Sequence, residues 1–137
     1  MNKKSGFLGV TGLSSDSRDV EDAYLAGPEN PNYEGAKLAM DVLKHQIKKY
    51  IGSYTAIMNG LDAVVFTAGI GENDAYIREQ VCRDMSYLGV EIDEEYNMSA
   101  PRGKDLELPA KGAKLRTFGL PTNEEYMIAL DTYNLSK

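Results

Sequence analysis

The chain has 137 residues, with 15 basic and 21 acidic side chains and a net charge of −6. This length predicts one domain that buries about two thirds of its unfolded surface, and the acidic balance argues against a nucleic-acid or anionic-membrane partner. The sequence shows no signal segment and no apolar run long enough to cross a bilayer. Its single cysteine, Cys82, excludes an internal disulfide and favours the cytoplasm.

The first 60 residues predict two helices after an irregular start. Residues 1–13 are rich in glycine and are expected to lack regular structure. Ser14 or Ser15 caps a short helix over residues 16–26, and Asn30-Pro31 opens a long helix, since proline is tolerated in a first turn. Apolar residues at three- and four-residue spacing predict one buried stripe along the long helix: Ala39, Leu43, Ile47, Ile51, Tyr54 and Met58.

The remaining residues predict strands that alternate with helices. A short apolar run at 63–67 indicates a strand buried on both faces, and a helix over 74–88 follows with Asn73 as its N-cap. Residues 97–113 combine proline, glycine and charge without periodicity, which is typical of a long exposed loop. The other predicted elements are a brief strand at 90–92, a core strand at 115–120 and a helix at 123–135. This alternation predicts an α/β layered fold.

The junction between the strand at 63–67 and the next helix is the most informative segment. Residues 69–73 have the sequence Gly-Ile-Gly-Glu-Asn, and in open α/β sheets such a junction lies at the carboxyl edge, where ligands bind. Glycines permit a positive φ and let a ligand approach bare backbone, while a helix N-terminus favours negative charge. The alternative is a tight turn without a ligand. The segment matches neither the dinucleotide-binding glycine fingerprint nor a P-loop.

Arg18 is the candidate ligand-binding residue of the N-terminal region. It lies in the first turn of its predicted helix, where the positive end of the helix dipole disfavours a cation. Because a guanidinium plane can stack on an aromatic ring and still reach polar groups, this position suits contact with a nucleotide base. An ion pair with Asp19 or Asp22 would instead make Arg18 a surface residue.

Two adjacent glutamates open the last predicted helix. Thr122 and Glu125 have the spacing of a capping box, in which the carboxylate of Glu125 accepts a hydrogen bond from the backbone N–H of Thr122. Glu124 is then expected to project from the first turn without that duty. Without further information, the residues favour a solvated surface position for Glu124.

Four stretches of the chain together resemble the acetate kinases, which are ATP:acetate phosphotransferases of the acetate and sugar kinase, Hsp70 and actin superfamily. The strongest match is residues 66–73, Phe-Thr-Ala-Gly-Ile-Gly-Glu-Asn. The other three stretches occur in the order expected for the family, at residues 2–6, 14–18 and 121–125. The resemblance covers nearly the whole chain but only the C-terminal part of a typical member.

This resemblance implies a partial ribonuclease H-like (actin-like ATPase) domain and a role in ATP- and Mg²⁺-dependent phosphoryl transfer to acetate, giving acetyl phosphate and ADP. A homodimer is also implied. Glu124 corresponds to a Mg²⁺ ligand, one of the about six oxygens that this ion requires. The positions that correspond to the family's nucleotide pocket are Asp16, Ser17, Arg18, Gly69, Ile70, Gly71, Glu72 and Asn73.

The acidic side chain of Glu72 bears on how a nucleotide would be held. A carboxylate repels bare phosphate unless Mg²⁺ intervenes or the side chain turns away. We therefore expect residues 69–73 to pack against adenosine and the first phosphate through their backbone, while Asn73 divides its side chain between capping and ligand contact.

The resemblance also implies parts of an acetate kinase that have no counterpart in residues 1–137: an N-terminal domain, the acetate-binding residues and a glycine-rich phosphate hairpin. The chain is therefore predicted to be the C-terminal, nucleotide-binding portion of such an enzyme, inactive on its own. Two alternatives stay open. One is a segment of a butyrate or propionate kinase, whose acyl pocket lies in the missing part; the other is a non-catalytic α/β module for binding or dimerisation. Whether the chain is a kinase segment or such a module, exposed apolar surface is expected where another domain would dock.

Overall fold

Residues 4–137, the part of the chain that the computed structural model describes, divide into two compact units after Gly60. The first unit is helical and consists of α1 (Gly6–Thr11), α2 (Ser17–Leu25) and α3 (Tyr33–Met58), which pack on one another. None of the described helices, α3 included, combines the length and apolar character needed to cross a membrane. The core of the first unit is small and is formed by Val20, Ala23, Ala36, Ala39 and Met40.

Helix α1 occupies a segment predicted to be irregular, and that prediction is wrong for the described residues; residues 1–3 lie outside them. Two of the three glycines that suggested irregularity, Gly6 and Gly12, instead mark the limits of the helix. Gly12 adopts a left-handed conformation with φ of 67° and ends α1, a C-terminal position at which glycine is favoured because it lacks a Cβ.

The two other helices of this unit follow the prediction in outline. Helix α2 is confirmed, but its N-cap is Asp16 and not one of the preceding serines. Asn30 and Pro31 lie in a turn ahead of α3, which begins at Tyr33. The predicted stripe of α3 is only partly correct, since Ala39 is buried whereas Tyr54 is 56% exposed.

The second unit is built around a three-stranded sheet. Strands β1 (Ala63–Phe66), β2 (Leu106–Glu107) and β3 (Arg116–Gly119) lie in the order β1-β3-β2, with β1 parallel and β2 antiparallel to β3. The helices of this unit are α4 (Ala68–Asn73), α5 (Ala75–Cys82), α6 (Glu94–Ser99) and α7 (Glu124–Leu135), and a 3₁₀ turn covers Ser86–Leu88. The predicted α/β class is confirmed.

Three predictions for this unit need correction. Val65 is 51% exposed, so β1 is not buried on both faces. The helix predicted over 74–88 stops at Cys82, and residues 90–92 supply only an isolated bridge between Ile92 and Pro109. The predicted exposed loop contains β2, because Leu106 and Leu108 alternate with a polar residue and are both buried.

Helix α7 has the predicted limits but an unexpected environment. None of its residues is buried. It therefore carries exposed apolar surface of the kind expected where another domain would dock. The exposed apolar side chains are Tyr126, Met127, Ile128, Leu130, Tyr133 and Leu135.

Candidate functional site

Residues 69–73 lie in α4, a short helix that follows β1 directly. Gly69 and Gly71 permit a positive φ, but neither adopts one. The left-handed residue at the junction is instead Ala68, with φ of 58°, a conformation that costs a residue with a Cβ about 1 kcal/mol. The strand and the short helix thus meet at a strained alanine, and the two glycines serve other purposes.

The two glycines of this segment have different surroundings. A Cβ added at Gly71 would stand 3.0 Å from the carbonyl carbon of Phe66, so the absence of a side chain lets α4 pack against the end of β1. A Cβ added at Gly69 would meet no described atom within 4 Å. Packing therefore explains glycine at position 71, whereas at position 69 glycine leaves bare backbone that a ligand can approach.

Asp74 has the capping role that the sequence predicts for Asn73. Asn73 is the last residue of α4, and its Nδ2 donates to the carbonyl oxygen of Gly69 at 3.0 Å. Asp74 is the N-cap of α5 and accepts a hydrogen bond from the N–H of Ile77 at 2.7 Å. The prediction of Asn73 as the cap fails because the extra turn of α4 moves the helix start by one residue.

The carboxylate of Glu72 joins the glycine segment to the residues that precede α7. Its Oε1 accepts hydrogen bonds from the backbone N–H of Thr122 at 2.6 Å and from Oγ1 of Thr122 at 2.8 Å. These two hydrogen bonds hold the pKa of Glu72 below its usual range, and the bond from the backbone N–H has the larger effect. The side chain thus turns toward Thr122, and two motifs fifty residues apart in sequence are in contact.

The same contact overturns the predicted capping box. Glu72, and not Glu125, accepts the hydrogen bond from the N–H of Thr122, and α7 has Asn123 as an N-cap without a side-chain hydrogen bond. Glu124 and Glu125 are both exposed in the first turn, where acidic residues interact favourably with the helix dipole. The structure therefore gives Glu125 no capping duty that would separate it from Glu124.

The fit of Mg²⁺ to this region depends on a single carboxylate. Among residues 4–137, no group of three or more histidine, cysteine, aspartate or glutamate side chains is placed to hold a metal ion. Mg²⁺ is commonly held by one or two carboxylates together with water and substrate phosphates. An exposed Glu124 fits that mode of binding and does not fit a metal cage made by the protein alone.

In the first unit, Asp16 and Arg18 form a closely bonded pair. The backbone N–H and the Nε of Arg18 donate to Oδ1 of Asp16 at 2.9 and 3.1 Å, and Nη2 donates to Oδ2 at 2.6 Å. The side-chain hydrogen bond from Arg18 is the main cause that lowers the pKa of Asp16 to about 2. The ion partner of Arg18 is thus Asp16, not Asp19 or Asp22. Arg18 remains 83% exposed, while Ser17 begins α2 and is half-buried.

Sequence reasoning missed Arg78 and Asn97, which are 2% and 1% exposed. The guanidinium of Arg78 donates to the carbonyl oxygens of Gly71 and Glu72 and to the side chain of Asn97. A signal was present, because Arg78 lies on the buried face of α5 with Ile77 and Val81. Arginine is almost never fully buried unless it has partners.

Comparison with known proteins gives consistent results. The model of the acetokinase family matches residues 1–130. The acetate kinase of Moorella thermoacetica is 55% identical over 135 residues, which are 98% of this chain and 32% of that protein. The chain thus spans about a third of the length of the curated relatives it matches.

Solved structures show the same relation. A crystal structure of Porphyromonas gingivalis acetate kinase is similar with a TM-score of 0.83 and 47% identity, over 99% of this chain and 33% of that one. A propionate kinase from Francisella tularensis subsp. tularensis SCHU S4 is similar with a TM-score of 0.77 and 36% identity, over 92% and 30%. These similarities confirm the predicted fold class, a partial actin-like ATPase domain.

Proposed function

Because the chain belongs to the acetokinase family, we propose that it supplies the nucleotide side of an enzyme that transfers a phosphoryl group from ATP to acetate. The products are acetyl phosphate and ADP, and the acetate-binding groups come from sequence outside residues 1–137. The enzyme is expected to be a cytoplasmic homodimer without a nucleic-acid or membrane partner. The observation that carries the proposal is the contact between Glu72 and Thr122, which brings the glycine segment to the start of α7.

In the second unit, the nucleotide packs against the backbone of α4. Gly69 offers bare backbone with open space beside it, and the carboxylate of Glu72 turns to Thr122. In the first unit, Arg18 is the proposed contact to the base, since its exposed guanidinium is held in a fixed orientation by its hydrogen bond to Asp16. Such a plane can stack on an aromatic ring while its edge stays hydrogen-bonded.

Glu124 is the residue of this chain proposed to hold Mg²⁺, with water and phosphate oxygens as the other ligands. When bound, the ion offsets the charge that develops on the transferring phosphoryl group. The protein's own part is positional. The hydrogen bonds from Thr122 to Glu72 fix the residue two positions ahead of Glu124 relative to the glycine segment.

The test replaces the matching third of the Moorella thermoacetica acetate kinase with residues 1–137 and measures acetyl phosphate formed from ATP and acetate. Activity in the chimera is expected. Glu72→Ala should raise the KM for ATP and the Mg²⁺ requirement together, because both segments lose their connection. The matched control is Glu107→Ala, which removes an exposed ion pair with Arg116. A folded chimera without activity, or one in which Glu72→Ala behaves like the control, would refute the proposal.

The similarity to a propionate kinase supports a second candidate, phosphoryl transfer to propionate; butyrate belongs to the same alternative. The chimera distinguishes the acyl groups by its kcat/KM for acetate, propionate and butyrate. Because the chain is proposed to contact only the nucleotide and Mg²⁺, the acyl preference should remain that of the host enzyme. A shift of that preference with the exchanged segment would show that residues 1–137 contribute to the acyl pocket.

A further inference from the structure

The geometry assigns Arg78 as the positioning residue of the glycine segment, an inference that rests on the nucleotide site proposed above. Nη1 of Arg78 donates to the carbonyl oxygen of Gly71 at 2.9 Å and to that of Glu72 at 2.8 Å. Both carbonyls lie in the last turn of α4, where they have no partner within the helix. One nitrogen atom therefore fixes the two peptide groups that lie between the bare backbone of Gly69 and the side chain bound to Thr122.

The other edge of the guanidinium is held by α6. Nε of Arg78 donates to Oδ1 of Asn97 at 2.8 Å, and Nη2 donates to the carbonyl oxygen of the same residue at 3.5 Å. Nδ2 of Asn97 in turn donates to the carbonyl oxygen of Ala75 at 2.8 Å. The guanidinium is thus bound on two sides, and the position of α4 is tied to that of α6 through one side chain.

All four of these hydrogen bonds end on neutral oxygen atoms. Burial disfavours the charged form and lowers the pKa of Arg78, while the negative charge of the nearby Asp74 acts in the opposite direction. The cation stays in place because its donors are satisfied by carbonyl and amide groups and because Asp74 offsets part of the effect of burial. Lysine would retain the charge in a similar volume. Its single ammonium group cannot span the two carbonyls of α4 and Asn97 at once, because it lacks the planar fork of the guanidinium.

The experiment compares Arg78→Lys with Arg83→Lys in the chimera described above. Arg83 follows α5, and its exposed guanidinium forms an ion pair with Glu79, so its substitution is the matched control. Two quantities are measured at a temperature where each variant is folded: hydrogen exchange of the amides of residues 69–73, and affinity for Mg·ADP by calorimetry. Arg78→Lys should speed exchange in residues 69–73 more than elsewhere and weaken Mg·ADP binding by roughly tenfold or more, whereas Arg83→Lys should do neither.

A second variant guards against a failure of Arg78→Lys to fold. Asn97→Ala leaves the guanidinium in place but removes its support, so it should speed exchange in the same residues to a smaller extent. Unchanged exchange at 69–73 in the folded variants, or unchanged Mg·ADP affinity of Arg78→Lys, would overturn the inference. If the unsubstituted chimera binds no Mg·ADP while the local exchange responds as expected, the positioning role stands and the proposed nucleotide site is wrong.

Discussion

Alanine in place of Gly69 should stabilise folding but weaken ligand binding, whereas alanine in place of Gly71 should destabilise folding. Gly69 has open space where a Cβ would stand, whereas at Gly71 the new atom would lie 3.0 Å from a backbone carbon of Phe66. Neither glycine needs a positive φ, so alanine can adopt the backbone conformation at both positions. The pair therefore separates a glycine kept for packing from a glycine kept for a ligand.

The size of each effect follows from these surroundings. Alanine in place of glycine within a helix stabilises folding by about 0.5–1 kcal/mol, and Gly69→Ala should gain that amount. At Gly71 the same gain is opposed by overpacking, which typically costs about 1–3 kcal/mol. Gly71→Ala should therefore lose about 1 kcal/mol net. A methyl group at position 69 should nevertheless keep the nucleotide from the backbone and weaken Mg·ADP binding by about tenfold, or about 1.4 kcal/mol.

Urea denaturation gives the free energy of unfolding of both variants, and calorimetric titration gives their affinity for Mg·ADP. The informative result is a Gly69→Ala chain that is more stable than the parent and binds nucleotide less well. If that variant binds Mg·ADP as the parent does, the bare backbone at position 69 is not a ligand surface. If Gly71→Ala is more stable than the parent, the packing of α4 against the end of β1 does not limit that position.

Four further outcomes are expected. In an active enzyme that contains this chain, Arg18→Ala should raise the KM for ATP several-fold. Arg18→Lys should restore only part of the loss, because an ammonium lacks the guanidinium plane. If both variants have the KM of the parent, Arg18 does not contact the nucleotide. Glu124→Ala should raise the Mg²⁺ requirement in titrations without lowering the melting temperature, and Glu125→Ala should change neither. Hydrogen bonds from Thr122 lower the pKa of Glu72 in the folded state. The stabilisation they provide is therefore present above the ordinary pKa of 4.5 and is lost as the pH falls through the lowered value. The free energy of unfolding should change less across this pH range in Thr122→Val than in the parent. The 137-residue chain alone should form no acetyl phosphate from ATP and acetate.

Elements with strong local signals could be predicted from the sequence. Helix α7 and strand β3 have the predicted limits to within about two residues, because Pro121 separates the two elements and acidic residues occupy the first turn of the helix. Helix α4 could not be predicted, because its glycines suggested a turn, whereas Gly71 is required by contact with Phe66. Strand β2 could not be predicted either, because the two buried leucines lie in a segment otherwise rich in charge, proline and glycine.

At the candidate site, contacts between residues close in sequence could be anticipated, whereas contacts between distant residues could not. The pair of Asp16 and Arg18 is separated by two positions, and the first-turn location of Arg18 already indicated an acidic partner. Glu72 meets Thr122 across fifty positions, and Arg78 meets Asn97 across nineteen. Neither helical period nor capping rules reach so far, so these partners depend on how the sheet brings the segments together.

The exposure of α7 would link the Mg²⁺ binding proposed for Glu124 to whatever covers that helix. A helix of twelve residues with no buried side chain is governed by its own helix–coil equilibrium, which is marginal for this length in water. Glu124 in its first turn is presented only by the helical fraction of molecules. If about half of the molecules are helical there, the apparent affinity for Mg²⁺ falls about twofold. A surface that covers Tyr126 and Ile128 would raise the helical fraction, and so tighten metal binding without touching the metal.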